Sequence, residues 1–190
     1  MMEKFTNKFE NYDLEIHGVR LPQFEISKEL KHKAKVSEDC SNYDFLRKLC
    51  LNGFADLNLD KESKLHEKYV TRIKYELKTL KDLGFIDYVL LVWDVVNYCK
   101  ENDIPTGLGR GSAAGSIVLF LIDVTGIDPI EHDLYFERFI SKIRAKKKVV
   151  DGITYLDGSL MCDVDLDICY YRRQEVIKYL DEKFKGKTSK

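Results

Sequence analysis

The sequence lacks any cluster of histidine or cysteine residues. Its five cysteines show no paired metal-ligand spacing, and its four histidines are scattered along the chain. An odd number of unpaired cysteines argues against a disulfide framework and fits a reduced compartment. The histidines are His17, His32, His66 and His132.

A long hydrophobic run is also absent. The most hydrophobic stretch, residues 88–99, is short and contains Asp94, and the first residues form no apolar signal region. A membrane-spanning helix needs about 20 mostly apolar residues, so we expect neither membrane insertion nor export. We predict a cytoplasmic protein, or one of the host cytoplasm if the gene is viral.

The chain has no excess of charge of either sign, since 31 basic residues face 32 acidic ones. Any contact with nucleic acid is therefore expected to be local. The run at residues 142–148 carries five positive charges and is the candidate, with a solvated loop flank as the alternative. A hydrophobic content of 44% over 190 residues is enough for one main core.

Three aspartates alternate with apolar residues in the aspartate segment, residues 162–168. In an extended strand Asp163, Asp165 and Asp167 would share one face. Their mutual repulsion is costly, whereas hard carboxylate oxygens at this spacing suit Mg²⁺. The alternative is an edge strand whose charged face lies in water.

Glycine and small residues dominate the glycine segment, residues 107–116, which leads into an apolar helix predicted at residues 117–122. Its backbone N–H groups and the helix N-terminus can surround an anion, with Arg110 and Ser112 as further donors. No Lys-Ser/Thr pair follows the glycines, so a Walker P-loop is excluded. The alternative is close packing of small residues between helices. The glycine and aspartate segments together predict metal-assisted phosphoryl transfer on a nucleotide.

Four motifs follow one another along the chain: the glycine segment, residues 126–129 (GIDP), residues 133–139 (DLYFERF) and the aspartates. In this order they resemble the palm of the bacterial replicative DNA polymerase III alpha subunit, a C-family polymerase. The similarity covers about residues 60–185. It implies a DNA-directed DNA polymerase that adds deoxynucleoside triphosphates to a primer 3′ end on a DNA template.

The resemblance also implies roles for particular residues. Asp163 and Asp165 match the catalytic aspartates that bind two Mg²⁺ ions, and Asp167 matches an accessory aspartate. The remaining matches are nucleotide-phosphate contacts, at Gly111, Ser112, Arg110 and Arg138. The family's third catalytic carboxylate corresponds to a position beyond residue 190, so we expect the isolated chain to be inactive.

The implied fold is an α/β (α+β) palm of the polymerase-β-like nucleotidyltransferase type, with a mixed sheet flanked by several helices. Residues 1–60 resemble the lead-in that follows the PHP domain, and residues 61–190 resemble the first part of the palm. The implied partners are primer-template DNA, the remaining polymerase domains or a second chain, and possible clamp and clamp-loader proteins; no membrane partner is expected.

Hydrophobic periodicity predicts the main elements. We expect a short helix at residues 42–56, an amphipathic helix ending at Gly84 and a central helix at residues 87–100 with Asp87 as N-cap. A final helix is predicted at residues 170–184. An Asp-Gly turn predicts a hairpin at residues 149–155.

Two other functions stay open at the level of sequence. The chain is compatible with a non-catalytic piece of a split polymerase, or a replisome binding module, that needs a second chain. A template-independent nucleotidyltransferase would share the metal chemistry. The first alternative requires a second chain for activity. The second requires no template strand.

Overall fold

The computed structural model describes residues 23–140, 147–150, 153–156 and 162–185, and for the two four-residue stretches it describes the backbone alone. The described part of the chain is helix-rich. The helices are α1 (Lys28–Ala34), α2 (Asn42–Asp56), α3 (Lys64–Leu83), α4 (Ile86–Glu101), α5 (Ile117–Leu121) and α6 (Arg173–Lys183). Short 3-10 helices cover Gly111–Gly115, Phe136–Arg138 and Tyr170–Arg172.

Helix α3 confirms the amphipathic prediction. The Ser63 hydroxyl accepts a hydrogen bond from the His66 amide at its start, and Gly84 ends it with a left-handed φ of 80°. Glycine adopts this conformation without the steric cost that other residues meet. The apolar pattern predicts a buried face from Leu65, Tyr69, Ile73, Leu77 and Leu80; the last four are buried, whereas Leu65 in the first turn is 47% exposed.

Helix α4 lies in the core, as predicted from its apolar sequence. The Trp93 ring is 9% exposed and packs edge-on against the rings of Phe24 and Phe45. The prediction that Asp87 caps this helix is wrong, because Phe85 holds the N-cap position without a side-chain bond. The Asp87 carboxylate instead accepts hydrogen bonds from the Phe24 amide and the Asn42 side chain.

Helices α2 and α5 pack in close contact. A Cβ atom on Gly53 would lie 1.9 Å from the backbone oxygen of Leu121, so no other residue fits at this crossing. Residues from α2, α3, α4 and α5 contribute to the same hydrophobic core. The glycine segment extends from α4 to α5 along the edge of this core.

The predicted hairpin is present. Strands β1 (Lys147–Val150) and β2 (Ile153–Leu156) pair antiparallel, with Val150 opposite Ile153. Where the chain is described, the other strand pairing is one isolated bridge between Thr106 and Ile168, so no mixed sheet is seen there. Residues 142–146 of the basic run lie outside the described residues.

The predicted last helix is divided into a 3-10 turn, Tyr170–Arg172, and α6. Helix α6 is anchored to α4 through the buried Asp94 carboxylate, which accepts hydrogen bonds from the Tyr179 hydroxyl at 2.7 Å and from Lys183 Nζ at 2.5 Å. The Tyr98 and Tyr179 rings stack with 3.9 Å between centroids. Over the described ranges, no helix is both long and apolar enough to cross a membrane.

Candidate active site

The glycine segment follows a path that its glycines make possible. Gly109 and Gly111 have positive φ angles of 92° and 66°. A Cβ on Gly109 would lie 2.8 Å from Thr125 Cγ2, so this glycine is required by both its backbone angle and its contact. The chain then forms the 3-10 helix Gly111–Gly115, which leaves the half-buried Ser112 near its start.

The structure brings the glycine and aspartate segments together. The Gly107 amide donates a hydrogen bond of 2.8 Å to the Asp167 carbonyl, and the Cys169 amide donates one of 3.0 Å to the Pro105 carbonyl. A Cβ on Gly111 would lie 3.6 Å from Asp165 Oδ2. Two sequences about fifty residues apart therefore form adjacent walls of one exposed site.

The three aspartates project to the same exposed side of the aspartate segment, in agreement with the alternation in the sequence. Asp163, Asp165 and Asp167 are exposed. The apolar side chains that precede and separate the aspartates point inward. Cys162 is 7% exposed, and Val164 packs against the core. The segment is extended, but within the described residues its only strand pairing is the isolated bridge between Ile168 and Thr106.

Arg110 links the two segments electrostatically. Its Nε lies 3.6 Å from Asp165 Oδ2, and its Nη1 lies 3.7 Å from Asp167 Oδ1. All three side chains are more than half exposed, so each ion pair contributes only about 0–1 kcal/mol. Arg110 therefore screens the aspartates while remaining weakly held.

The N-terminus of α5 does not face an anion site, which corrects the expectation from the sequence. The fully buried Glu76 carboxylate occupies it and accepts hydrogen bonds from the Ile117 amide (3.1 Å), the Val118 amide (3.2 Å) and the Ser116 hydroxyl (2.8 Å). The first amides of a helix lack intrahelical partners, so a buried helix start needs such an acceptor. The 3-10 turn that begins at Gly111, by contrast, lies beside Asp165.

Arg72 completes this buried network. Its Nε donates to Glu76 Oε1 at 2.7 Å, and its Nη2 donates to the carbonyls of Gly115 (2.9 Å) and Leu134 (3.0 Å). Burial raises the pKa of the Glu76 carboxyl, and the hydrogen bonds from Arg72 and Ser116 act in the opposite direction. The network fixes the end of the glycine segment on α3. Its signal in the sequence is an Arg–Glu pair four residues apart, in which the glutamate falls on the apolar face of an amphipathic helix.

Arg138 is exposed in the 3-10 helix Phe136–Arg138. This turn adjoins the glycine segment, because a Cβ on Gly115 would lie 2.7 Å from the Tyr135 carbonyl oxygen. Within the described residues, no ion pair joins Arg138 to the aspartates. The structure thus brings Gly111 and Arg110 against the aspartates and leaves Arg138 on a neighbouring turn.

Tyr88 on α4 lies directly behind the aspartate segment, and the sequence pattern did not indicate it as a site residue. The Val164 amide donates a hydrogen bond of 3.2 Å to the Tyr88 hydroxyl. Burial raises the pKa of Tyr88 to about 12, with smaller contributions from Cys162 and the charges of Asp163 and Asp165. The phenol is therefore neutral at physiological pH.

The chemistry of the aspartate segment is compatible with Mg²⁺. Within the described ranges, no group of three or more histidine, cysteine, aspartate or glutamate side chains could hold a metal. Mg²⁺ is commonly bound by only one or two carboxylates together with substrate phosphates and water. Asp163 and Asp165 provide two such exposed carboxylates beside the glycine segment.

Comparison with known proteins identifies relatives over most of the chain. The family described as the bacterial DNA polymerase III alpha NTPase domain matches residues 44–189. DNA polymerase III subunit alpha of Aquifex aeolicus is 35% identical over 193 residues, which span 97% of this chain. The subunit of Bacillus subtilis is 35% identical over 90% of the chain, and that of Yersinia pestis is 47% identical over 63%.

The chain corresponds to a small part of these relatives. It spans 15% of the Aquifex aeolicus subunit, 13% of the Bacillus subtilis subunit and 9% of the Yersinia pestis subunit. The similarity therefore concerns one region of a much longer polypeptide.

Proposed function

Since this chain belongs to the family of bacterial DNA polymerase III alpha NTPase domains, we propose that it forms part of a DNA-directed DNA polymerase active site. The reaction is the transfer of a nucleotide from a deoxynucleoside triphosphate to a primer 3′ end. The observation that carries the proposal is the contact between the glycine and aspartate segments, with Arg110 lying between them.

Asp163 and Asp165 are the proposed ligands of two Mg²⁺ ions. When bound, these ions would supply Lewis-acid stabilisation of the reacting oxygens. The carboxylates are suited to this role because both are exposed on one side of an extended backbone. Asp167 has an accessory role, since its backbone carbonyl is tied to Gly107 and its carboxylate lies beside Arg110.

The glycine segment is the proposed seat of the triphosphate. Gly111 has no side chain to block the approach of phosphate, and the first N–H groups of its 3-10 turn have no partner within that turn. Ser112 adds a hydroxyl donor. Arg110 is held only weakly by the aspartates, so its guanidinium is available to phosphate oxygens, and Arg138 adds positive charge from the neighbouring turn.

The larger architecture follows from the same proposal. We assign residues 61–190 to the first part of a mixed-sheet, polymerase-β-like palm and residues 1–60 to its lead-in. The remaining polymerase domains, or a second chain, would complete the sheet and the third carboxylate. Primer-template DNA is the proposed macromolecular substrate, the sliding clamp and clamp loader are further candidate partners, and the cytoplasm is the proposed location.

Primer extension by the intact polymerase tests this proposal. Asp163→Asn and Asp165→Asn should each lower the extension rate by at least about a hundredfold, because losing a metal ligand removes several kcal/mol of transition-state stabilisation. Asp56→Asn is the matched control, since Asp56 is exposed at the end of α2, and it should leave the rate unchanged.

Two results would count against the proposal. Near-normal extension by Asp163→Asn and Asp165→Asn would overturn the assignment of the metal ligands. Equal nucleotide addition with and without a template strand would instead favour a template-independent nucleotidyltransferase.

A further inference from the structure

Tyr88 makes a contact at a sensitive point of the candidate site. The Val164 amide that it binds belongs to the residue between Asp163 and Asp165, the two proposed metal ligands. A shift of this backbone would move both carboxylates together. The acceptor of this hydrogen bond lies on the core helix α4.

The aspartate segment has few other backbone restraints in the described part of the chain. Its strand pairing is the bridge at Ile168, and the Gly107 amide donates a hydrogen bond of 2.8 Å to the Asp167 carbonyl; both restraints lie beyond Asp165. The inward side chains of Cys162, Val164 and Leu166 pack against the core, which sets the direction in which the aspartates point. Packing alone does not fix the position of the backbone along its own axis, whereas a directed hydrogen bond does.

Tyr88 is itself firmly held. Its ring packs edge-on against Phe85 at 6.1 Å, and the next two residues of α4, Val89 and Leu90, are fully buried. A tyrosine phenol is uncharged at physiological pH, so its hydroxyl is a neutral acceptor for the Val164 amide. A rigid acceptor on a core helix is the kind of support that a precise metal site needs.

We propose that Tyr88 is a positioning residue, whose hydroxyl fixes the backbone between Asp163 and Asp165 and thereby the spacing of their carboxylates. This inference rests on the proposed function of those aspartates. Tyr88 is not a catalytic residue, because it lies behind the segment and acts through the Val164 peptide.

Tyr88→Phe in the intact protein removes the hydroxyl and retains the ring. The Mg²⁺ concentration needed for half-maximal primer extension should rise about fivefold, the effect of losing one hydrogen bond of ordinary strength, while the rate at saturating Mg²⁺ stays within about twofold. The dissociation constant for Mn²⁺, measured by electron paramagnetic resonance without substrate, should rise by a similar factor. Amide hydrogen exchange in peptides covering residues 162–168 should become faster.

Tyr69→Phe is the matched control. Tyr69 is a buried tyrosine whose hydroxyl donates to Asp128, so its hydrogen bond does not involve the aspartate segment. Tyr69→Phe should lower the melting temperature at least as much as Tyr88→Phe does, because its lost hydrogen bond is to a charged group, with unchanged Mn²⁺ affinity and unchanged exchange at residues 162–168. Equal Mn²⁺ affinity and equal exchange in Tyr88→Phe and the parent protein would overturn the inference.

The two proposals fail in different ways. If Asp163→Asn abolishes extension but Tyr88→Phe changes neither Mn²⁺ affinity nor exchange, the positioning role alone is wrong. If Asp163→Asn and Asp165→Asn extend primers normally, the proposed metal site is wrong, and the positioning role is overturned with it.

Discussion

At the scale of single residues, Glu76 shows how a buried charge organises the site. Its carboxylate accepts hydrogen bonds from the first two amides of α5, the Ser116 hydroxyl and the Arg72 guanidinium. Through Arg72 the same group reaches the carbonyls of Gly115 and Leu134. Glu76 thus holds the glycine segment in place without facing the proposed nucleotide.

Glu76→Gln should strongly destabilise the protein. The substitution preserves the shape of the side chain but removes the negative charge opposite Arg72. It also places the glutamine NH₂ group against the backbone N–H groups at the start of α5. Breaking one side of a buried ion pair costs about 3–5 kcal/mol in the free energy of unfolding. Urea denaturation measures this loss.

Glu67→Gln is the control for this experiment, because Glu67 is exposed in the first turn of the same helix. It should change the free energy of unfolding by no more than about 0.5 kcal/mol. Equal stabilities for Glu76→Gln and Glu67→Gln would contradict the structural role given to Glu76.

The exposure of side chains was predictable where a local pattern specifies it. The alternation in the aspartate segment correctly predicted which side chains are exposed. The Glu76 and Tyr88 contacts were not predictable in this way, because each depends on packing between residues far apart in the chain. The Val164 amide and the Tyr88 hydroxyl are 76 positions apart in the sequence, and no periodicity within either segment predicts their hydrogen bond.

At the scale of elements, the helices were predicted well because their periodicity and stop signals are local. The apolar stripe of α3 and its glycine stop appear in the structure as expected. Asp87 was assigned wrongly as a cap because its carboxylate has tertiary partners in Phe24 and Asn42. A sequence pattern cannot separate a capping aspartate from one that bonds to a distant segment.

Gly53→Ala tests the crossing of α2 and α5. The new methyl group would meet the Leu121 carbonyl and force the helices apart, although alanine favours an isolated helix. We expect a loss of about 1–3 kcal/mol in the free energy of unfolding. Thermal or urea denaturation measures it.

Asn52→Ala is the matched change on the exposed side of α2, and it should leave stability equal or slightly higher. If Gly53→Ala proved as stable as Asn52→Ala, α2 and α5 would not cross as closely as the structure shows.

At the scale of the whole molecule, the site lies at the edge of a helical core and is formed by segments that meet only in the folded chain. The core supports both walls, since Tyr88 on α4 bonds to the aspartate segment and Glu76 on α3 bonds to the residues at the end of the glycine segment. The chain spans only 9–15% of the relatives compared above. Under the proposed function, the mixed sheet and the full set of metal ligands would involve other parts of a longer polypeptide.

We propose that the glycine and aspartate segments together form one metal-nucleotide site. Fe²⁺ can replace Mg²⁺ in the intact protein, and with peroxide it generates hydroxyl radicals that cut the nearest backbone. Mass spectrometry should locate cuts in both residues 107–112 and residues 163–167, and Asp165→Asn should suppress them. Cuts confined to other regions, or to one of these two segments alone, would contradict a shared metal-nucleotide site.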